Sequence, residues 1–175
     1  VETLQERTFF GKEKKSLAYI IGTMNMILHG IDAPNLVHTN TLSENINDIQ
    51  EKDRFDVVLA NPPFGKKSSM SFTNAEGEQE TEDLTYNRQD FWATTSNKQL
   101  NFVQHIRAML KTTGRAAVVV PDNVLFEGGA GEVIRRKLLQ NTDLHTILRL
   151  PTGIFYAQGV KANVLFLEKK GASET

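Results

Sequence analysis

The chain has 175 residues, 39% of them hydrophobic and 23% charged, with a formal net charge of −1; this is the composition of one globular domain, and it excludes both a disordered chain and a self-sufficient nucleic-acid binder, whose affinity comes mostly from phosphate neutralisation. Zero cysteines remove disulfides, thiolate zinc sites and thiol nucleophiles together, and the four histidines, at 29, 38, 105 and 145, show no metal-ligand spacing. There is no run of about 18 apolar residues for a spanning helix, and "VETLQERTFF" lacks the basic, apolar and small-residue order of a signal peptide, so a cytoplasmic chain is expected.

In chain order, strands and helices alternate. "RTFFGKE" predicts a short strand ending near Glu13. A helix follows, in which Leu17, Ile21, Met24 and Leu28 recur at helical spacing and Gly30 acts as the stop. "NLVHTNTL" predicts a second strand leading to Asn40, and "FDVVLA" a third, whose unbroken apolar run suits a parallel strand covered on both faces. Ser96 and Gln99 have capping-box spacing before a helix whose apolar face is Phe102, Ile106, Met109 and Leu110. "RAAVVVPD" is a fourth strand, "EGGAGEVIRRKLLQN" a glycine-opened helix, "LHTILRL" a fifth strand and "ANVLFLEKK" a closing one. Such alternation predicts an α/β fold with a mostly parallel, Rossmann-like sheet, helices on both faces, and any ligand at the C-terminal ends of the strands.

Residues 64 to 95 break the rhythm. The stretch is polar, lacks a period, and is longer than a compact domain tolerates without a reason, so a functional or mobile loop is expected. Lys66 and Lys67 suit phosphate, but Glu76, Glu78, Glu80, Glu82 and Asp83 repel it, which favours an acidic surface for the middle of the loop. Phe91 and Trp92 are expected to be ordered, either packed beneath the loop or closing over a base. Arg135, Arg136 and Lys137 read as a solvated helix face rather than a phosphate track. The tail "GASET" reads as a fraying end.

The chemistry concentrates where the third strand ends, in Asn61, Pro62, Pro63 and Phe64. Each proline fixes its own φ and pushes the preceding residue out of the α region, so Asn61 and Pro62 leave the strand extended and rigid. This geometry offers the Asn61 side-chain oxygen and the Pro62 carbonyl to one point, with the Phe64 ring beside it. Two acceptors and an aromatic face suit a planar amino group on a nucleobase or an amide, which presents two N–H donors and a flat surface. Drawing both hydrogens toward oxygens localises the nitrogen lone pair and aims it at an electrophile, a form of electrostatic preorganisation. Asn-Pro-Pro is also turn chemistry. By composition alone it arises on the order of once in 50 chains of this length, and its place after an apolar strand and before Phe64 favours the functional reading.

With these elements in order, the sequence resembles the modification subunits of type I restriction-modification systems, S-adenosylmethionine-dependent adenine-N6 DNA methyltransferases. The resemblance runs through "FFGKE", "MNMILHGI", "FDVVLANPPFG", "SNKQLNFVQHI", "GRAAVVVPDNVLFEGGAGEVIRRKLL" and "LHTILRLPTGIFYAQGVKANVLFLEK". It implies a catalytic role for Asn61, Pro62, Pro63 and Phe64 on a flipped adenine, and contacts from Glu13 to the ribose hydroxyls and from Asn40 to the adenine of S-adenosylmethionine. It also implies double-stranded DNA, a DNA specificity subunit and a restriction subunit as partners. The family's glycine-rich cofactor loop, expected before "FFGKE", is not in this sequence, and Gly129-Ala130-Gly131 does not replace it. Residues 1–175 are therefore expected to form part of a methyltransferase domain, from its second to its closing strand, belonging to a longer subunit and inactive alone. Rival readings are a scaffold docking DNA and a specificity subunit, and an amino methyltransferase acting on protein glutamine or RNA guanine.

Overall fold

A computed structural model describes residues 2–43, 49–65, 69–73, 79–83, 85–155 and 159–170, of which 69–73 and 79–83 are described by their backbone alone. The chain forms two compact units, residues 1–44 and 45–175.

In the first unit, a short helix α1 (Glu2–Glu6) precedes strand β1 (Phe10–Glu13), helix α2 (Ser16–Leu28) and strand β2 (Asn35–His38). β1 and β2 pair in parallel, with Glu13 opposite His38. Gly11 allows this approach, since a Cβ there would lie 2.6 Å from the Leu36 side chain. α2 ends as the sequence predicts. Gly30 has φ +84, its amide donates to the Ile27 carbonyl, and the Ile31 amide reaches Met26; together these form a Schellman motif. The buried face of α2 differs from expectation. Leu17, Ile21, Met24 and Leu28 are all exposed. The helix instead turns the adjacent stripe of Tyr19, Gly22, Thr23 and Met26 inward, with Tyr19 stacked on His38 at 5.2 Å and Gly22 leaving room for Leu36.

The second unit is built on a four-stranded sheet in the order β3 (Phe55–Ala60), β6 (Leu110–Pro121), β8 (Ala162–Lys169), β7 (Thr142–Arg149). β3 and β6 are parallel, while β8 runs antiparallel to both β6 and β7. Three strands therefore point one way, with the fourth reversed between two of them. Helix α3 (Lys98–Met109), the short α4 (Asn123–Phe126) and α5 (Ala130–Asn141) complete the unit. The core interleaves Leu100, Val103 and Ile106 of α3 with Val118 and Val120 of β6, Ile134 and Leu138 of α5, and Leu165 and Leu167 of β8. Where α3 passes into β6 the register with β3 shifts. Gly114 is required at that shift, because a Cβ would lie 2.9 Å from the carbonyl oxygens of Lys111 and Phe55.

Three local expectations are corrected. Among the described residues β3 is covered on one face: Val58 and Ala60 pack on the core, while Leu59 is 79% exposed. The cap of α3 is Asn97, not Ser96, and its side chain accepts from the amides of Gln99 and Leu100. The 64–95 stretch is not wholly irregular, for β4 (Ser69–Thr73) and β5 (Gln79–Asp83) form an antiparallel hairpin. Glu80, Glu82 and Asp83 fall on β5, whereas Lys66, Lys67, Glu76, Glu78 and the "GASET" tail lie outside the described residues.

Candidate active site

Asn61 to Phe64 leave β3 at its C-terminal end, which is also the end at which β6 delivers Asp122, because Ala60 pairs with Val118 in a parallel ladder. Pro62 is buried and anchors the turn, while Asn61 stays exposed. The Asn61 side chain makes no hydrogen bond to a described residue, so its carbonyl oxygen remains open to an incoming donor. The Phe64 ring meets the Phe155 ring edge-on, with centroids 5.4 Å apart and planes at 71°. Phe155 follows β7 and was not singled out in the sequence. The available signal was an aromatic residue just past a strand running in the same direction as β3.

Phe155 sits on the connection between β7 and β8, and both ends of that connection are tied to Asp122. Arg149 Nη2 donates to Asp122 Oδ2 at 2.8 Å, Asn163 Nδ2 donates to Asp122 Oδ1 at 2.7 Å, and the Asp122 amide donates to the Lys161 carbonyl at 3.0 Å. The Asn163 amide and, behind it, the Arg149 guanidinium hold the Asp122 carboxyl below its ordinary value.

The glycine-rich stretch opens α5 as expected, with Gly129 at φ +59 in the capping position. It is held from below. Glu127 Oε2 accepts from Asn97 Nδ2 at 2.8 Å and Asn123 Nδ2 at 3.1 Å, and Arg135 Nη1 donates to the carbonyls of Glu127 and Val124. Arg135 is therefore a brace, while Arg136 pairs with Glu132 on the surface. Phe91 and Trp92 take the packing role: Arg88 lies 4.4 Å over Phe91 and Arg107 5.0 Å over Trp92, and Gln104 binds both the amide and the carbonyl of Ala93. Arg88 pairs with Asp90 at 2.7 Å, the two side chains being 6% and 11% exposed.

Glu13 ends β1 and Asn40 follows β2, both at the C-terminal edge of this strand pair, where the Thr39 amide donates to the Glu13 carbonyl. Glu13 Oε1 accepts from the Lys15 amide at 2.7 Å, which fixes the side chain and leaves Oε2 without a partner among the described residues. A fixed carboxylate with one open oxygen fits a hydroxyl-bearing ribose. Asn40 is more engaged than expected: its Nδ2 donates to Ser43 Oγ at 2.6 Å and its Oδ1 accepts from the Leu42 amide at 3.3 Å. Among the described residues no group of histidine and carboxylate side chains could hold a metal ion, and no helix is long and apolar enough to cross a membrane.

The sheet with one reversed strand, and the rigid Asn-Pro-Pro-Phe turn at its C-terminal edge, define a Rossmann-like methyltransferase fold, which the chain shares with solved methyltransferase subunits. The chain belongs to the N-6 DNA methylase family, whose model matches residues 2–175. It is 47% identical over 169 residues to the methylase subunit of type I restriction enzyme EcoKI of Escherichia coli K12, covering 93% of this chain and 28% of that protein. The crystal structure of the EcoKI M protein superposes with a TM-score of 0.79 at 42% identity, over 99% of this chain and 33% of that one. A type I restriction-modification methyltransferase subunit of Streptococcus thermophilus superposes with a TM-score of 0.73 at 30% identity, over 96% and 35% of the two chains. The chain thus spans about a third or less of the length of these relatives.

Proposed function

We propose that this chain carries the base-binding and part of the cofactor-binding machinery of a type I restriction-modification methyltransferase subunit, which methylates adenine at N6 in double-stranded DNA. The observation that carries the reading is the open Asn61 acceptor beside the Phe64–Phe155 pair. The N6 amino group of an extruded adenine donates one hydrogen to Asn61 Oδ1 and the other to the Pro62 carbonyl, while the base lies on Phe64. This pulls the nitrogen lone pair out of conjugation and directs it along one line. S-adenosylmethionine, when bound, would supply a methyl carbon activated by its sulfonium, and Glu13 and Asn40, at the ends of β1 and β2, are residues of this chain that would hold it. As the nitrogen–methyl bond formed, the carbon–sulfur bond would break and leave a neutral thioether, and the nitrogen would then lose one proton to solvent. Extruding the base costs a few kcal/mol, offset by stacking and edge hydrogen bonds.

The near-neutral charge of this chain agrees with DNA being gripped elsewhere, in a specificity subunit and the rest of a longer polypeptide, with a restriction subunit completing a cytoplasmic assembly. The test is methyl incorporation by the full-length subunit with its specificity partner, followed by nucleoside analysis of the product. N6-methyladenine in duplex DNA is expected. Label confined to protein glutamine or to RNA guanine, or no label at all, would overturn the proposal.

A further inference from the structure

Asp122 occupies the capping position of α4, yet its side chain makes no cap hydrogen bond there. A carboxylate at that position ordinarily accepts from the first free amides of the helix. Here both oxygens turn away. Oδ1 takes the amide of Asn163, a side chain 1% exposed, and Oδ2 takes the guanidinium of Arg149. Arg149 is the last residue of β7, Asn163 is the second of β8, and the two are register partners. Two backbone bonds close the same frame, from Asp122 to the Lys161 carbonyl and from Leu150 to the Ala162 carbonyl. The segment leaving this frame carries Phe155, whose ring rests edge-on against Phe64.

We infer that Asp122 is a positioning residue for methyl transfer, clamping both ends of the β7–β8 connection so that Phe155 meets Phe64 and the two rings form the aromatic wall of the base pocket. The inference rests on the adenine reading above. Asp122 touches neither base nor cofactor; it acts through Arg149 and Asn163. Asp122→Asn keeps the size of the side chain but places an N–H against a donor, which breaks one arm of the clamp.

In the full-length subunit with its specificity partner, Asp122→Asn should lower kcat by on the order of 10- to 100-fold through misplacement of the wall, with KM for S-adenosylmethionine unchanged. The deciding measurement is a double-mutant cycle with Phe155→Ala. In that background Asp122→Asn should change kcat by less than about threefold, since the group it positions is already gone. Arg149→Gln, which removes the exposed arm and spares the buried one, should fall in the same non-additive set and guards against an Asp122 variant that fails to fold. A 2-aminopurine at the target position should lose its extrusion signal in Asp122→Asn as it does in Phe155→Ala. Effects of Asp122→Asn and Phe155→Ala that multiply, or a full extrusion signal in Asp122→Asn, would overturn the clamp while leaving adenine methylation by the wild type intact. Absence of N6-methyladenine from the wild-type reaction would overturn the functional reading itself.

Discussion

The Phe155 ring stands edge-on to the Phe64 ring at 5.4 Å, and the two come from opposite ends of the second unit's sequence, one following β3 and the other β7. An edge-on partner restrains the plane of the half-buried Phe64 ring, and the adenine reading requires one of its faces to take the base. Phe64→Ala should therefore remove about 1–3 kcal/mol of base stacking, and Phe64→Tyr should keep most of the activity. The loss should shrink on duplexes carrying a mismatched target adenine, which costs less to extrude. Methyl incorporation on paired and mismatched duplexes measures both; equal damage by Ala and Tyr would make Phe64 a packing residue.

Asn61 supplies an acceptor that nothing described in the chain uses. Asn61→Ala in the full-length subunit should lower kcat by about 10²–10³, the usual cost of removing one preorganised hydrogen-bonding group from a transition state. Affinity for S-adenosylmethionine should be nearly unchanged. Turnover close to wild type would remove Asn61 from the reaction.

Glu13 presents one oxygen without a partner among the described residues beside one held by the Lys15 amide. Glu13→Gln should weaken S-adenosylmethionine binding by about 1.5–3 kcal/mol, the range for hydrogen bonds to a charged group, without altering the affinity for DNA. Calorimetry on the full-length subunit separates the two, and unchanged cofactor affinity would move the ribose contact elsewhere.

The buried Arg88–Asp90 pair, with Phe91 against the guanidinium, holds the segment that returns from the β4–β5 hairpin to α3. Asp90→Ala removes a carboxylate from the buried Arg88 guanidinium and should destabilise the protein by about 1.5–3 kcal/mol, the range for hydrogen bonds to a charged group. Replacing both partners with apolar residues should cost much less. Urea unfolding of the single and double variants is the check, and equal losses would mean that the pair itself stabilises the fold.

Asp122 also sets a pH dependence. Its folded carboxyl lies below the ordinary 3.8, because the Asn163 amide and the Arg149 guanidinium outweigh the desolvation that opposes them. The unfolded state therefore binds more protons in acid. The stability from Asp122 is fully present above its unfolded value and is lost as pH falls through the folded one. From about pH 5 downward the wild type should lose stability more steeply than Asp122→Asn. Parallel acid melts would show that the clamp does not titrate.

The parts of the fold that were legible in the sequence are those fixed locally. "FDVVLA" and the core of "ANVLFLEKK" are strands at nearly the predicted limits, and Gly30 ends α2 because only a positive φ completes that turn. The parts not legible depend on what lies across a contact. The apolar spacing of α2 marks Leu17, Ile21, Met24 and Leu28, yet the inward face is chosen by Leu36 and His38. Ser96 and Asn97 are both able caps, and only the geometry of the turn selects Asn97. The Asn61–Phe64 turn was legible because two prolines dictate its shape. Phe155 and Asp122 were not, since their roles exist only once β6, β7 and β8 have been brought side by side.

The placement of β8 also governs the order in which the molecule is assembled during synthesis. It is the last of the described strands to leave the ribosome, yet it lies inside the sheet, between β6 and β7. Until Lys169 has emerged, β6 has no partner on that side, and Val118 and Val120 lack the Leu165 and Leu167 they pack with. A nascent chain halted before Ala162 therefore displays two unpaired strand edges above an open core, the kind of surface that chaperones bind and that drives aggregation. β8 pairs with both β6 and β7 and, through Asn163, brings Asp122 one of its two side-chain partners.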